Sequence, residues 1–350
     1  MKIYTYSTLL CCLSFLVLFT ACGDGSASDN GQAISEQRST GTGNPAIDAL
    51  SEKIKGRPDD ATLYADRGAA YYDNDGYDEA IFDLQRAIQL DSLNPDYFHL
   101  LADVYMDYFK SRLALATMEE AQKRFPERIP TLLKLCEFQH ILKQYEESMK
   151  TIDQVLKLDP QNAEAYFMFG LNFRETGDPN RAINSFQEAV SIDPDLVDAW
   201  INLGQLYSDQ NSPLAKTFFD NAIEVAPENI LALHAKANYL SSQDDLTGAV
   251  AIYKKINILD PQYEDAFFNT GLLYLDLDSI AEAKAHFDMA LKVSPTFIRA
   301  YYYRGVAYEL QEQYPKAKAD YEQALRMAPN YEDAQAGVER IQVRLGGDGG

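Results

Sequence analysis

From about residue 61 to residue 329 the chain carries apolar residues at the three- and four-residue spacing of amphipathic helices, broken at short intervals by Gly, Asn, Asp or Pro. The breaks are periodic. Prolines fall at Pro126, Pro160, Pro194, Pro227, Pro261, Pro295 and Pro329, with gaps of 34, 34, 33, 34, 34 and 34. Stepping back from Pro126 gives Ser92 and Pro58. The phrase AYFMFGLNF (165–173) returns as AWINLGQLY (199–207), AFFNTGLLY (266–274) and AYYYRGVAY (300–308). Each interval holds two helical patterns, which predicts eight units: 61–94, 95–128, 129–162, 163–196, 197–229, 230–263, 264–297 and 298–330.

Two places in every unit are small. The eighth is Gly68, Ala102, Cys136, Gly170, Gly204, Ala237, Gly271 or Gly305. The twentieth is Ala80, Ala114, Ser148, Ala182, Ala215, Ala249, Ala283 or Ala317, with Ala215 one place early and so responsible for the 33-residue gap. Small residues at facing points let two antiparallel helices approach closely, and large ones such as Tyr166, Phe169, Phe173 and Phe186 fill the space around them. Proline near the end of each unit stops the second helix. The segment 45–60 reads as a leading helix, 331–345 as an amphipathic closing helix that covers the last unit, and 346–350 as a tail.

This period, with small residues at places 8 and 20, resembles the tetratricopeptide repeat. The resemblance covers roughly three quarters of the chain and implies an all-α superhelical solenoid of about eight helix–turn–helix units with terminal capping helices. It implies a concave face lined by first helices at places 2, 5, 9 and 12, which binds protein segments. Those places give His99, Asp103 and Met106 in unit two, Glu137 and His140 in unit three, and Phe167, Leu171 and Arg174 in unit four. Unit seven gives Phe268, Leu272 and Leu275, and unit eight Tyr302 and Val306; together these five predict a solvent-facing apolar patch. Asp103, Asp107 and Glu137 give the first end an acidic character suited to a basic segment or simply to solvation.

The first 21 residues have one Lys, an apolar run from Leu9 to Phe19 and a small-residue end, the pattern of a secretory signal peptide too short to span a membrane. LFTAC (18–22) resembles the lipobox of bacterial lipoproteins, with Phe19 departing from it. That resemblance implies cleavage before Cys22 and its acylation. Residues 22–44 are rich in Gly, Ser, Asp and Asn and read as a tether of roughly 25 Å root-mean-square reach.

The remaining chemistry narrows the function. A formal charge of −22 argues against nucleic acid, which needs a basic stripe. Beyond Cys22 only Cys136 remains, so there is no disulfide framework, and the four histidines show no metal-ligand spacing. Nucleophile motifs and phosphate-cradling loops are absent, and acid pairs such as Asp59–Asp60 and Asp244–Asp245 sit where helix caps are needed. The expectation is a non-enzymatic, cofactor-free lipoprotein of the bacterial envelope, with the outer membrane preferred over the inner. It would act as a scaffold or adaptor for protein partners, with self-association possible. The alternatives are a glycan-binding uptake lipoprotein, for which Trp200 is the one stacking ring, and a non-catalytic regulator that positions an envelope enzyme.

Overall fold

The computed structural model describes residues 43–347. The leader, Cys22, most of the tether and residues 348–350 lie outside the described residues. The described chain is all helical. A leading helix, α1 (Pro45–Gly56), is followed by eight pairs. These are α2 (Ala61–Tyr72) with α3 (Tyr77–Leu90), α4 (Pro95–Asp107) with α5 (Ser111–Arg124), α6 (Ile129–Ile141) with α7 (Tyr145–Leu158), and α8 (Ala163–Glu175) with α9 (Pro179–Ile192). Then come α10 (Val197–Asp209) with α11 (Leu214–Val225), α12 (Ile230–Ser242) with α13 (Leu246–Leu259), α14 (Glu264–Asp276) with α15 (Ile280–Val293), and α16 (Ile298–Leu310) with α17 (Tyr314–Met327). The last helix, α18 (Glu332–Gly347), runs two residues into the stretch expected to be tail.

Each helix packs on its chain neighbours, and successive first helices also touch, as α2 does α4, α4 does α6 and α6 does α8. Other pairs make at most marginal contact. Stability in such an array is a sum of nearest-neighbour terms. The small places do the work expected of them: Ala80, Ala114, Ala182, Ala215, Ala249, Ala283 and Ala317 have no exposed surface. At Gly204 an added Cβ would lie 2.5 Å from the Phe219 ring, and at Gly271 it would lie 2.5 Å from the Phe287 ring.

Entry to and exit from the helices follow local chemistry. Asn44, Asp60, Asn94, Asn162, Asn229 and Asp245 cap first or second helices through their side chains. Second helices end in extended residues, several of them aspartates whose carboxylates accept from the backbone two residues on. Asp91 accepts from Leu93, Asp159 from Gln161, Asp193 from Asp195 and Asp260 from Gln262.

The turn within each pair repeats one further device. Its fifteenth place is left-handed in all eight units: Asp75, Phe109, Lys143, Gly177, Asn211, Asp244, Asp278 and Glu312, with φ between 52° and 78°. Only one of these is glycine. Aspartate and asparagine tolerate this region, whereas Phe109, Lys143 and Glu312 are strained there. We expect Phe109→Gly, at a side chain 95% exposed, to stabilise the fold by about 0.5–1 kcal/mol, the relief of strain exceeding the extra chain entropy of glycine. Urea unfolding would show a higher midpoint at unchanged slope; an unchanged or lower midpoint would mean that the turn bears no strain.

Candidate functional site

Successive first helices are joined side by side through polar contacts that mark one common face. Lys134 Nζ sits 2.7 Å from Asp103. Arg128 pairs with Asp96 at 2.9 Å. The Tyr72 hydroxyl donates to Asp107, and Arg174 donates to Asn202. At the far end Arg340 pairs with Glu309 at 3.1 Å.

The first half of this face is polar. His99 is half-buried, with Nε2 2.9 Å from Thr131 Oγ1 and 3.3 Å from the Arg128 guanidinium. Burial, then the charges of Arg128 and Lys134, push its pKa down to about 4. A histidine held neutral in this way contributes stability that is complete above its unfolded value near 6.5. That stability is lost as pH falls from there toward 4. We therefore expect the urea midpoint to drop across that window, with a smaller drop in His99→Gln; equal drops would place the titration elsewhere. Asp103 is pushed up by burial, against the pull of Lys134.

Glu137, Glu164 and Asp198 are exposed to water, yet burial among surrounding protein raises all three above the usual carboxylate range. All three stand on first helices, at places 9, 2 and 2 of units three, four and five. For Glu137 the charges of Asp103 and Glu164 add to that rise, and Lys134 opposes it. No ion pair among the described residues reaches Glu137, Glu164 or Asp198. Met106, Phe167 and Leu171 are half-buried on the neighbouring cores, with the Phe167 ring 5.6 Å from that of Phe186. Arg174 is exposed and also approaches Glu175 at 3.3 Å.

The second half corrects the expected apolar patch. Phe268 is 1% exposed. Its ring lies 4.9 Å from Phe297, 5.6 Å from Tyr303 and 5.8 Å from Phe287, and the Arg299 guanidinium sits 4.6 Å above it. Leu272 and Leu275 pack half-buried on the same cluster. Tyr302 and Val306 pack on the last core, Tyr302 against Tyr303, Tyr321 and Tyr331. The physical reason is that Phe287 and Phe297 of its own unit and Tyr303 of the next close over this fifth place, whereas His99 and Phe167 at the same place stay half-buried.

Glu164, Asp198 and Asn172 were not singled out from the sequence. A signal for the first two was present: place 2 holds an acid in units two, four, five and seven, as Asp96, Glu164, Asp198 and Asp265. Asn172 is fully buried beneath His140, which lies 2.7 Å away through Nδ1. Among the described residues no group of three His, Cys, Asp or Glu side chains is placed to hold a metal, and no helix is long and apolar enough to cross a membrane. Cys136 is buried and its thiol is pushed well above its ordinary value, mainly by burial.

Paired antiparallel helices stacked in one direction define an all-helical repeat protein whose first helices share a long face. Family models described as tetratricopeptide repeat match residues 298–331 and 134–162, and one described as TPR repeat matches 170–211. The chain carries tetratricopeptide repeats in these stretches, and the helix pairs between and beyond them have the same paired arrangement. It is 25% identical over 193 residues to human tetratricopeptide repeat protein 6, covering 45% of this chain and 37% of that protein. It is 24% identical over 255 residues to human protein O-mannosyl-transferase TMTC3, covering 70% of this chain and 27% of that protein. The chain thus spans less than half the length of these curated relatives. The crystal structure of the APC/C hetero-tetramer Cut9-Hcn1 has a chain with the same fold at a TM-score of 0.52 and 16% identity, covering 84% of this chain and 58% of that one.

Proposed function

We propose that this protein is a lipid-anchored scaffold of the bacterial cell envelope that captures a segment of a partner protein along the face formed by its first helices. The observation that carries the reading is that this face is left open through units three to six. Glu137, Glu164, Asp198, Gln205, Leu231 and Asn238 are all exposed on it. A helix-lined groove of this kind can hold an extended or helical segment. Acylation at Cys22 would confine the search to the membrane surface and raise the effective concentration of partners. In this reading the array performs no reaction of its own, and the outer membrane is its place.

Support for the sugar-binding alternative is poor. The Trp200 indole donates to the Pro194 carbonyl at 2.8 Å and stacks on Phe218, so it is part of the packing between helices.

The test is affinity capture from cross-linked envelopes with the native chain and an Asp198→Arg, Leu231→Arg variant, both positions being exposed. Loss of a specific protein from the variant at equal helicity supports capture on this face. Recovery of the same proteins with both forms rejects it. In parallel, Cys22→Ser should move the protein from the membrane pellet to the soluble fraction; a variant that stays with the membrane rejects the anchor.

A further inference from the structure

Among the described residues, five of the eight buried polar side chains lie between residues 131 and 172, in units three and four: Thr131, Gln139, Ser148, Thr151 and Asn172. Three of the links there form a directed relay. Ser148 Oγ donates to the Cys136 carbonyl at 2.8 Å. Asn172 Nδ2 donates to Ser148 Oγ at 2.8 Å. That fixes the amide so that Asn172 Oδ1 faces His140 Nδ1 at 2.7 Å, and Nδ1 must carry a hydrogen. The second ring nitrogen is then the acceptor of the neutral ring. No described protein group hydrogen-bonds His140 Nε2, and it is not among the buried unpartnered atoms, so it reaches solvent. The other inner-face histidines differ: His99 Nε2 is taken by Thr131, and His234 has an amide at each nitrogen.

One helical turn before His140, on the same face of α6, stands Glu137, and Glu164 stands on the adjoining first helix α8, its charge adding to the rise of the Glu137 pKa. The chain neutralises several inner-face acids with its own cations, Asp96 with Arg128, Asp103 with Lys134 and Glu309 with Arg340. At Glu137 and Glu164, as at Asp198 one unit further on, it supplies none, and of these only Glu137 has an open histidine nitrogen one turn along its own helix. Lys134, the nearest opposing charge, is held on Asp103, and Arg174 is turned to Asn202 and Glu175.

Resting on the scaffold reading above, we infer that the junction of units three and four is the recognition point, and that it takes a basic partner segment. The cationic side chain sits between Glu137 and Glu164, and a hydrogen-bond donor one turn along meets His140 Nε2. The Asn172–Ser148 relay is a positioning device: it costs apolar packing at this joint and fixes which nitrogen faces the groove.

The probe is a labelled twelve-residue peptide of alternating Arg and Ala, with its Glu–Ala counterpart, read by anisotropy on the whole folded chain. The native protein should bind the first and not the second. Glu137→Gln with Glu164→Gln should weaken binding by roughly tenfold, while Glu119→Gln with Glu188→Gln, at exposed sites on second helices, should leave it unchanged. Ser148→Ala should broaden or shift the His140 ring resonances and weaken binding at unchanged helicity. Equal weakening by both glutamine pairs would reduce the effect to net charge and overturn the proposal. So would a Ser148→Ala chain that binds as the native does. If the envelope partner is still captured by the Glu137→Gln, Glu164→Gln chain but lost from the Asp198→Arg, Leu231→Arg chain, the scaffold reading stands and this site does not.

Discussion

Phe287→Ala is expected to destabilise units seven and eight by about 3–5 kcal/mol, the range for removing a buried aromatic ring. Phe287 has no exposed surface, and its ring lies 5.8 Å from Phe268 and 6.1 Å from Tyr303. The ring sits directly over Gly271, so the partner change is as informative. Gly271→Ala would place a Cβ 2.5 Å from one ring carbon and 2.8 Å from another. The clash should cost about 1–3 kcal/mol, offset in part by the roughly 1 kcal/mol that alanine gains over glycine within a helix. Unit two shows the alternative solution, with Ala102 facing Met118 and both fully buried. The double variant Gly271→Ala, Phe287→Met should therefore be less destabilised than the sum of its parts. Hydrogen exchange would locate the loss in α14–α17 and spare α2–α7, because the array is coupled only through neighbours. Loss spread evenly over all helices would mean that the solenoid unfolds as one unit.

That pairing of places 8 and 24 also shows what could be read from the chain beforehand. The period, the small places and the all-helical fold were legible because each unit repeats the same packing problem and solves it with the same residue sizes. Gly170, Gly204 and Gly271 stand out in the sequence for the reason they matter in the structure. The left-handed turn place was harder to see. Asp75, Asn211, Asp244 and Asp278 suit it, but Phe109, Lys143 and Glu312 conceal it. The candidate groove was legible only in part. Glu137 lies on it as the face positions imply, but Phe268 does not, because the groups that cover it come from Phe297 and Tyr303, in the next turn and the next helix. Nor could the relay be read: His140, Asn172 and Ser148 come from three helices, and a buried asparagine looks in sequence like any other polar residue.

Arg67→Met is the change expected to do most damage at the other end of the array. Arg67 donates from Nε and one terminal nitrogen to the two oxygens of Asp83, each at 2.7 Å, and from the other terminal nitrogen to Ser51 Oγ at 3.0 Å. It thereby ties α1, α2 and α3 together. The Asp83 side chain is 1% exposed and that of Arg67 17%. Methionine keeps most of the volume but leaves a buried carboxylate without its cation, which costs about 3–5 kcal/mol. Arg67→Met with Asp83→Leu removes both charges and should regain most of that loss, since well-packed apolar replacements of a buried pair are often neutral. The double variant separates this mechanism from lost packing: a double variant no more stable than Arg67→Met would point to packing instead. Arg304 repeats the arrangement at the same place in unit eight, bonding both oxygens of Asp320 at 2.7 Å and Asp288 at 2.8 Å. Arg304→Met should thus fray α15–α18 as Arg67→Met frays α1–α3. Two clamps of one design near opposite ends of a nearest-neighbour array place the strongest polar ties where each stack has the fewest neighbours to hold it.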